Sequence, residues 1–455
     1  MVSRRKLLTS SLGFAGSVGL ATSLQMGFVR QASAMAFGDY KAMICILLAG
    51  GNDSFNMIVP ADDDQYTEYQ TIRSDLALPR ADLRVLSGTS NGRTYGLHPS
   101  LFNVRDMYDA GEVAVLANVG PLVDRVTAAD VANGAPVPLG LASHADQIQT
   151  WQTARADLRV ADGWGGRLAD AFQGTNPANG ISMNISLSGS NVFQSGLSVV
   201  PYSIDVTEEG APGVQGYNDT SVFDEIRTRR LDELLALNQP NLLRAEYSRR
   251  LREAIDTQAV FAEALSLGDT FNTSFAQDGL GQALRQIVRV IAARNALGAV
   301  RQTFFVNLGG WDHHDDVLDN QGRLLPIVNN GLKSLRDALV ELGVFDSVTT
   351  FTTSDFGRTL TSNGKGSDHG WGGHHFVMGG SVQGGQFFGD YPELQAAHPL
   401  DIGRGVFAPT TSVDEYFAEL ALWFGLPASS LGDVLPNIGT FYTPGSATPP
   451  LGFLS

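Results

Sequence analysis

Residues 348–380 read VTTFTTSDFGRTLTSNGKGSDHGWGGHHFVMGG, a pattern that predicts a strand, a polar loop and a second strand. Its β-branched start, Val348–Thr353, and its apolar end, Phe376–Met378, each predict a strand. The Gly-rich loop between them carries two aspartates and three histidines: Asp355, Asp368, His369, His374 and His375. In open α/β sheets, ligands bind beyond the carboxyl ends of the strands. Since carboxylates and imidazoles are ligands of zinc and related divalent ions, the stretch predicts a metal site at a sheet edge.

Two further apolar runs end in the same kind of loop. Ala42–Leu48 is continuous and apolar, which is typical of a buried parallel strand, and Asp53 follows it closely. Thr303–Leu308 precedes a loop with one aspartate and two histidines, which are Asp312, His313 and His314. Strand ends that meet at one edge can hold two ions about 4 Å apart, which clamp the oxygens of phosphoryl or sulfuryl transfer. For any single residue, the alternative is a turn cap by Asp or a backbone hydrogen bond from His.

Composition excludes several classes of function. The chain has 455 residues, only 17% of them charged, and a formal net charge of −16. An acidic protein of this kind is not expected to bind nucleic acid or an anionic membrane. The single cysteine, Cys45, cannot form an internal disulfide, so the fold needs no oxidising compartment.

Residues 1–36 are predicted to be a twin-arginine signal peptide. Ser3–Leu8 reads SRRKLL, a weakly hydrophobic stretch follows, and Ala32–Ala36 offers small-residue cleavage sites. The alternatives are a membrane anchor or a chance basic start, although the stretch is short for a span of about 20 residues. We therefore expect a protein exported by the twin-arginine machinery to the periplasm, cell envelope or exterior, with no stable membrane span after cleavage. Residues 37–455 are expected to form a single domain.

Two polar residues outside the metal-binding loops are also candidates for function. Ser143 precedes a predicted helix, and with Asp146 it resembles a capping box; the alternative is a nucleophile presented at a helix N-terminus. Arg358 is predicted either to pair with an anionic substrate or to form a structural ion pair. The charged helical pattern of residues 221–267 predicts helices that cover one face of the sheet.

The motifs together resemble an uncharacterised exported bacterial family within the alkaline phosphatase/sulfatase-like superfamily. Besides the twin-arginine start, they are Gly50–Asp53, Ser143-His144, Gly310–His314, Ser354–Thr359 and Asp368–Gly370, and the resemblance covers residues from about 40 to 440. It implies a three-layer α/β/α fold with a mostly parallel central sheet and with metal ligands at the carboxyl ends of strands.

The resemblance also implies roles for single residues. Asp53 would match the metal-binding Asp of the first strand, and Ser143 would stand near the place of the helix-borne nucleophile. The remaining ligands implied are Asp312 with His313 or His314, then Asp355, and finally Asp368 and His369 with His374 or His375. The expected cofactor is a divalent metal, with zinc first and manganese or calcium as alternatives.

Three positions depart from the superfamily pattern. Phe356 stands where a metal-binding His is usual, Asp316 rather than His lies four residues after Asp312, and the family usually has Glu where Asp355 stands. The resemblance is therefore compatible with one metal ion as well as with two.

The sequence thus predicts an exported metal-dependent hydrolase of phosphate or sulfate esters, acting on a small anionic ester or an envelope component. The alternative is a non-catalytic exported binding or assembly protein on a degenerate hydrolase scaffold. Phe356 and the long Gly- and Ser-rich excursion of residues 188–218 favour that alternative.

Overall fold

The computed structural model describes residues 38–207, 210–211, 213–395 and 398–455. The predicted signal peptide lies outside these residues. Within them no helix combines the length and the apolar character that a membrane crossing requires.

The described residues form fourteen strands. In chain order they are β1 (Lys41–Ala49), β2 (Ile58–Pro60), β3 (Arg84–Val85), β4 (Tyr95–Leu97), β5 (Val113–Gly120), β6 (Asn184–Ser186), β7 (Tyr202–Ser203), β8 (Arg301–Gly309), β9 (Val348–Ser354), β10 (Arg358–Ser362), β11 (Ser367–His369), β12 (Gly373–Met378), β13 (Phe387–Phe388) and β14 (Thr411–Ser412).

They also form fourteen α-helices and four short 3₁₀ turns. The helices are α1 (Ser54–Met57), α2 (Asp63–Arg73), α3 (Phe102–Asp109), α4 (Ala128–Ala132), α5 (His144–Thr153), α6 (Trp164–Ala171), α7 (Val222–Leu235), α8 (Leu242–Ser266), α9 (Gly279–Ala292), α10 (Arg294–Leu297), α11 (Val317–Glu341), α12 (Val413–Phe424), α13 (Leu431–Val434) and α14 (Ile438–Phe441). The 3₁₀ turns span Ser74–Leu76, Arg80–Asp82, Phe345–Ser347 and Ala428–Ser430.

The central sheet has nine strands and is mostly parallel. Its order is β13-β5-β12-β9-β1-β8-β6-β7, with β14 also paired to β5. Only β12 pairs in antiparallel fashion with its neighbours, so the other eight strands of this sheet point the same way. At the centre, Leu48 of β1 is in register with Leu308 of β8 and Ser354 of β9. The loops that follow these three strands therefore leave the sheet side by side.

Helices cover both faces of this sheet, because β1 is apolar on both sides. Ile44 and Ile46 belong to a core that includes α9 and α11. Cys45 and Leu47 point to the other side and belong to a core that includes α6 and α12. The predicted α/β fold, with helix layers around a mostly parallel sheet, is confirmed.

The prediction that residues 221–267 cover a sheet face is correct only for their last part. Phe261 and Leu265, near the end of α8, are buried in the core. Helix α7 has no buried residue, and the first half of α8 is also largely exposed. The two helices form a hairpin that is joined by the Asp232–Arg252 ion pair, and most of the side chains of α7 and of the first half of α8 are exposed.

Helix α12 begins with a buried acid that makes stability depend on pH. Both carboxylate oxygens of Asp414 are buried and have no hydrogen-bond partner among the described residues. Burial raises the pKa of Asp414 to about 8. The unfolded chain releases this proton near pH 4. The stability that the group contributes is therefore present below about pH 4 and is lost as the pH rises through 8.

We expect Asp414→Asn to melt at a higher temperature than the native protein at pH 8. The difference should shrink as the pH falls toward 4, because the native carboxyl is then neutral in both states. Thermal unfolding followed by circular dichroism at a series of pH values measures this, with the exposed Asp433→Asn as control. Equal pH dependence in Asp414→Asn and the native protein would contradict the prediction.

Candidate metal centre

The site lies where the loops after β1, β8 and β9 meet. Gly50 makes the meeting possible, because its φ is +123° and a Cβ there would lie 2.4 Å from the backbone nitrogen of Asp312. A side chain at this position would therefore push the β1 and β8 loops apart. The Gly50 N–H in turn donates to the carboxylate of Asp355 in the β9 loop, at 2.9 Å.

Arg358 holds these loops together from within. Its guanidinium is fully buried and donates to backbone carbonyl groups of all three regions: those of Gly50, Gly51, Trp311 and Ser367. It also donates to the Asp312 carboxylate. Partial burial would raise the pKa of Asp312, but Arg358 outweighs it and holds this pKa below its usual value. The side chain of Arg358 has no exposed surface with which to bind a substrate. Its contacts are those of the structural ion pair, which was the second of the two roles predicted for it.

Three side chains converge in front of Arg358. One donor atom each from His144, Asp312 and His369 lie within 4.8 Å of one another. The Nε2 atom of His144 is 3.4 Å from one carboxylate oxygen of Asp312, and the Nε2 atom of His369 is 3.4 Å from the other. Ligand atoms of a tetrahedral zinc, with bonds of about 2.1 Å, lie roughly 3.4 Å apart. The spacing of the three residues therefore fits a divalent ion.

The two imidazole rings are also oriented as metal ligands are. The Nδ1 of His144 donates to the Asp355 carboxylate at 2.7 Å, and the Nδ1 of His369 donates to the Ala142 carbonyl at 2.7 Å. Each ring therefore turns the lone pair of its Nε2 toward Asp312. A carboxylate or carbonyl on the far nitrogen of a ligating His fixes the tautomer and makes the ligand more basic.

His314 brings a third imidazole to the same place. Its Nε2 lies 2.9 Å from the Nε2 of His369 and 3.2 Å from Asp312, while its Nδ1 lies 3.1 Å from the Asp368 carboxylate. If both rings are neutral, two nitrogen lone pairs face each other at this distance. A cation that both nitrogens can bind removes this repulsion.

Asp368 supports His314 and does not itself reach the triad's donor atoms. Its carboxylate accepts from Asn363 at 3.0 Å and forms an ion pair with Arg404 at 2.6 Å. The hydrogen bond from Asn363, together with Arg404 and His314, lowers the pKa of Asp368 to about 2. Asp355 plays the same part for His144, so both acids orient a histidine.

Asp53 is held apart in a buried ion pair. One of its oxygens is 2.6 Å from the Arg73 guanidinium and accepts from the Ser367 hydroxyl at 2.6 Å. The side chains of Asp53 and Arg73 have no exposed surface. The structure therefore gives Asp53 a charge partner that the resemblance did not imply, and it does not place Asp53 with the triad.

The other three predicted histidines are buried away from the triad. The Nε2 of His313 bonds to the Gly310 carbonyl at 2.7 Å. His374 accepts from the backbone of Asn118 at 3.0 Å, and His375 packs against Trp151. Burial lowers the pKa values of His374 and His375 to about 3, so both rings are neutral. Their contacts are those of core histidines.

Ser143 and Phe356 frame the centre. Ser143 is the N-cap of α5, and its side chain accepts from the backbone of Asp146 at 3.5 Å. It is half-buried and lies between His144 and Ala142, whose carbonyl holds His369. Phe356 packs against the rings of His144 and His369, with centroids 4.9 and 4.6 Å away. The residue that departs from the superfamily pattern is thus an apolar wall beside the triad.

His144 was not among the candidate ligands predicted from sequence. The Ser143-His144 pair was part of the family motif, but function was assigned to the serine. The sequence did show that His144 directly follows Ser143, the predicted cap of a helix. It did not show which strand ends this helix approaches, so it could not place His144 in the site.

The fold and the site define an α/β protein with a candidate divalent-metal centre at the carboxyl edge of its main sheet. Residues 40–435 match the family described as "Protein of unknown function (DUF1501)". The chain belongs to this family. A comparison with curated proteins gives no match.

Several solved structures are similar to this chain at low sequence identity. Ps i-CgsB in complex with k-i-k-neocarrahexaose is 10% identical, with 85% of this chain and 72% of that chain covered and a TM-score of 0.33. The PsFucS1 sulfatase from Pseudoalteromonas sp. is 11% identical, with coverages of 82% and 69% and a TM-score of 0.33. A mutant TAB5 alkaline phosphatase with Mg bound in its M3 site is 10% identical, with coverages of 75% and 91% and a TM-score of 0.20. At these scores the likenesses carry no argument about activity.

Proposed function

We propose that this protein is an exported metal-dependent hydrolase of phosphate or sulfate esters. One observation carries the proposal: the Nε2 atoms of three histidines meet the Asp312 carboxylate, while the Nδ1 of each ring faces an oxygen acceptor. This arrangement destabilises the folded protein unless a cation binds there, because the Nε2 lone pairs of the three rings and the Asp312 carboxylate repel one another. Export rests on the sequence of residues 1–36 alone.

The ion would be held by His144, Asp312 and His369, which leaves the fourth position of a tetrahedral ion for a water, and His314 would lie beside it. We propose a single ion, with zinc as the first expectation, since Asp53 is already paired with Arg73. A bound divalent cation supplies charge for the developing oxyanion and lowers the pKa of a coordinated water. The protein's own part is to fix the rings through Asp355 and Asp368 and to keep water off one side with Phe356.

Arg404 is the cation that this proposal assigns to the substrate. It ion-pairs with Asp368 at 2.6 Å, yet its side chain is 57% exposed. Its φ is +62°, and its carbonyl accepts from the Thr361 hydroxyl, so the backbone fixes the guanidinium at the rim. A planar guanidinium suits the oxygens of a phosphate or sulfate group. This exposed cation replaces the enclosed Arg358 in the role predicted from sequence.

Ser143 is the proposed nucleophile, because it lies at the N-terminus of α5 beside two of the ligands. The N-terminal N–H groups of a helix favour a negative oxygen there. The competing route is direct attack by a water. Turnover that survives in Ser143→Ala would favour the water.

A binding or assembly role is the second candidate, and one observation favours it. The α7–α8 hairpin exposes several large apolar side chains, which is a feature of interaction surfaces. On this alternative the centre would hold its ion without turning over an ester.

The test combines metal content with an ester screen. Protein from the exported fraction, purified without chelators, is analysed by plasma mass spectrometry and assayed on p-nitrophenyl phosphate, bis-p-nitrophenyl phosphate and p-nitrophenyl sulfate. We expect about one ion per chain, with turnover that is lost on chelation and restored by Zn²⁺, Mn²⁺ or Ca²⁺. A bound ion without turnover would support the binding role. A protein that contains no metal would contradict both the hydrolase and the metal-bound binding protein.

A further inference from the structure

The turn that leads into α5 contains an alanine in the left-handed backbone region. Ala142 has a φ of +70°, a conformation that residues other than glycine rarely adopt because Cβ crowds the next carbonyl. The Ser143 N–H donates to the Gly140 carbonyl at 2.8 Å, so residues 140–143 form a β-turn with Ala142 as its third residue. Glycine is the usual residue at a third turn position with positive φ. These four residues are called the capping turn, and Ala142 is its strained residue.

The conformation of Ala142 decides where two of the proposed ligands point. Its carbonyl accepts from the Nδ1 of His369 at 2.7 Å, and that hydrogen bond aims the Nε2 of His369 at Asp312. Two residues further on, His144 donates to the Asp355 carboxylate at 2.7 Å. A rotation of Ala142 out of the left-handed region would turn its carbonyl away from His369 and redirect the start of α5. The capping turn therefore links a ligand from β11 with a ligand from α5.

The capping turn is held mainly by contacts of the metal centre. Among the hydrogen bonds of the described residues, those that join residues 140–144 to the loops of the strands both involve a histidine of the centre. Ala142 is exposed, and Leu141 is half-buried against a small apolar cluster around Trp371. Helix α4, earlier in the same connection, has no buried residue. The strained conformation of Ala142 thus depends on the two histidines.

The same contacts bring together groups that repel each other when no cation is bound. The Nε2 atoms of His144 and His369 each lie 3.4 Å from an oxygen of the Asp312 carboxylate. Without a cation, the hydrogen bonds of the capping turn have to overcome both this repulsion and the strain of Ala142. A cation replaces the repulsion by three attractive contacts, so only the strain still opposes closure.

We propose that Ala142 is a positioning residue whose capping turn closes when the protein binds its ion. Closure places His144 and His369 as ligands and, in the same step, brings Ser143, the proposed nucleophile, beside them. The inference rests on the metal centre of the proposed function, and it adds that the chain completes this centre only on binding. The free energy of metal binding then includes the placement of one alanine in the left-handed region.

The first test compares the Zn²⁺ affinities of the native protein and three variants by competition with a chromophoric chelator. Ala142→Gly should bind Zn²⁺ about 5-fold more tightly than the native protein, because glycine enters the left-handed region without strain. Ala142→Val should bind about 10-fold more weakly, since a β-branched residue is a severe outlier there. The control is Ala154→Gly at the opposite end of α5, where φ is +50°, and its affinity should be unchanged.

Thermal unfolding after chelation separates this positioning role from a purely structural one. If the capping turn is open in the metal-free protein, Ala142→Gly should leave the melting temperature of that form unchanged and raise only that of the Zn²⁺-bound form. A higher melting temperature of chelated Ala142→Gly with an unchanged Zn²⁺ affinity would overturn the proposal, because Ala142 would then be strained in both states. An equal gain in affinity from Ala154→Gly would overturn it as well.

Hydrogen exchange measures the closure itself. Peptides that cover residues 135–144 should exchange more slowly in the Zn²⁺-bound native protein than in the chelated one, while peptides from the core strand β5 should exchange alike. Equal exchange of residues 135–144 with and without Zn²⁺ would overturn the closure of the capping turn but leave the hydrolase standing. Slower exchange without turnover of any ester would support the closure and contradict the hydrolase, so the two proposals fail separately.

Discussion

Asp312→Asn is expected to remove the bound ion and to lower kcat/KM on the preferred ester by about 1,000-fold. Asp312 supplies the only carboxylate of the described triad, and an amide oxygen binds a divalent ion more weakly than a carboxylate does. The several kcal/mol of charge stabilisation that an ion contributes would be lost with it. His144→Ala should have the same effect, because it removes the Nε2 atom that would bind the ion from the side of the other Asp312 oxygen.

The expected effects are graded, and the grading separates the ligands from the residues that orient them. Asp355→Asn should weaken metal binding by about 10–100-fold without abolishing it, because Asp355 orients His144 and does not replace it. Asp315→Asn is the control, since it removes an exposed acid from the same loop. The measurements are metal content after dialysis and kcat/KM with added metal. Full metal content in both Asp312→Asn and His144→Ala would contradict the proposed centre.

The sheet could be predicted from sequence because its strands are buried on both faces. Ala42–Leu48, Thr303–Leu308 and Val348–Thr353 lie within β1, β8 and β9. A short, continuous apolar or β-branched run that is bounded by Gly and Asp is compatible with few structures other than a buried strand. Once these strands are parallel neighbours, their carboxyl ends must meet, so the convergence of their loops was also predictable. Short edge strands such as β13 have no pattern of their own and were missed.

The choice among the polar residues could not be made from sequence. Which of five histidines between 313 and 375 turns inward depends on loop conformation, and only two of them join the centre. His144 reaches it because α5 docks beside the β9 loop, a contact between positions 211 residues apart. The partner of Asp53 is likewise decided by tertiary packing. A pattern fixes which elements form, whereas packing decides which charges are neutralised by the protein and which remain for an ion.

Arg73→Ala is expected to lower the free energy of unfolding by about 3–5 kcal/mol. It leaves the fully buried Asp53 carboxylate without a counter-charge, and breaking a buried pair costs this much because the remaining charge cannot be solvated. Arg80→Ala is the matched control. Arg80 pairs with Asp63 at the surface, so its removal should cost no more than about 1 kcal/mol. Urea unfolding followed by tryptophan fluorescence measures both.

The double variant Arg73→Met with Asp53→Asn decides what Asp53 does. It removes both charges, keeps an oxygen for the Ser367 hydroxyl, and should recover part of the stability that Arg73→Ala loses, since the hydrogen bonds from Arg73 to Asn56, Thr359 and Leu360 stay lost. If Asp53 is a structural partner, as the ion pair indicates, the double variant should bind its ion like the native protein. A folded double variant that has lost the ion would instead make Asp53 a ligand. The loops of β1, β8 and β9 would then hold the ion by residues from all three strand ends, as the superfamily resemblance implies.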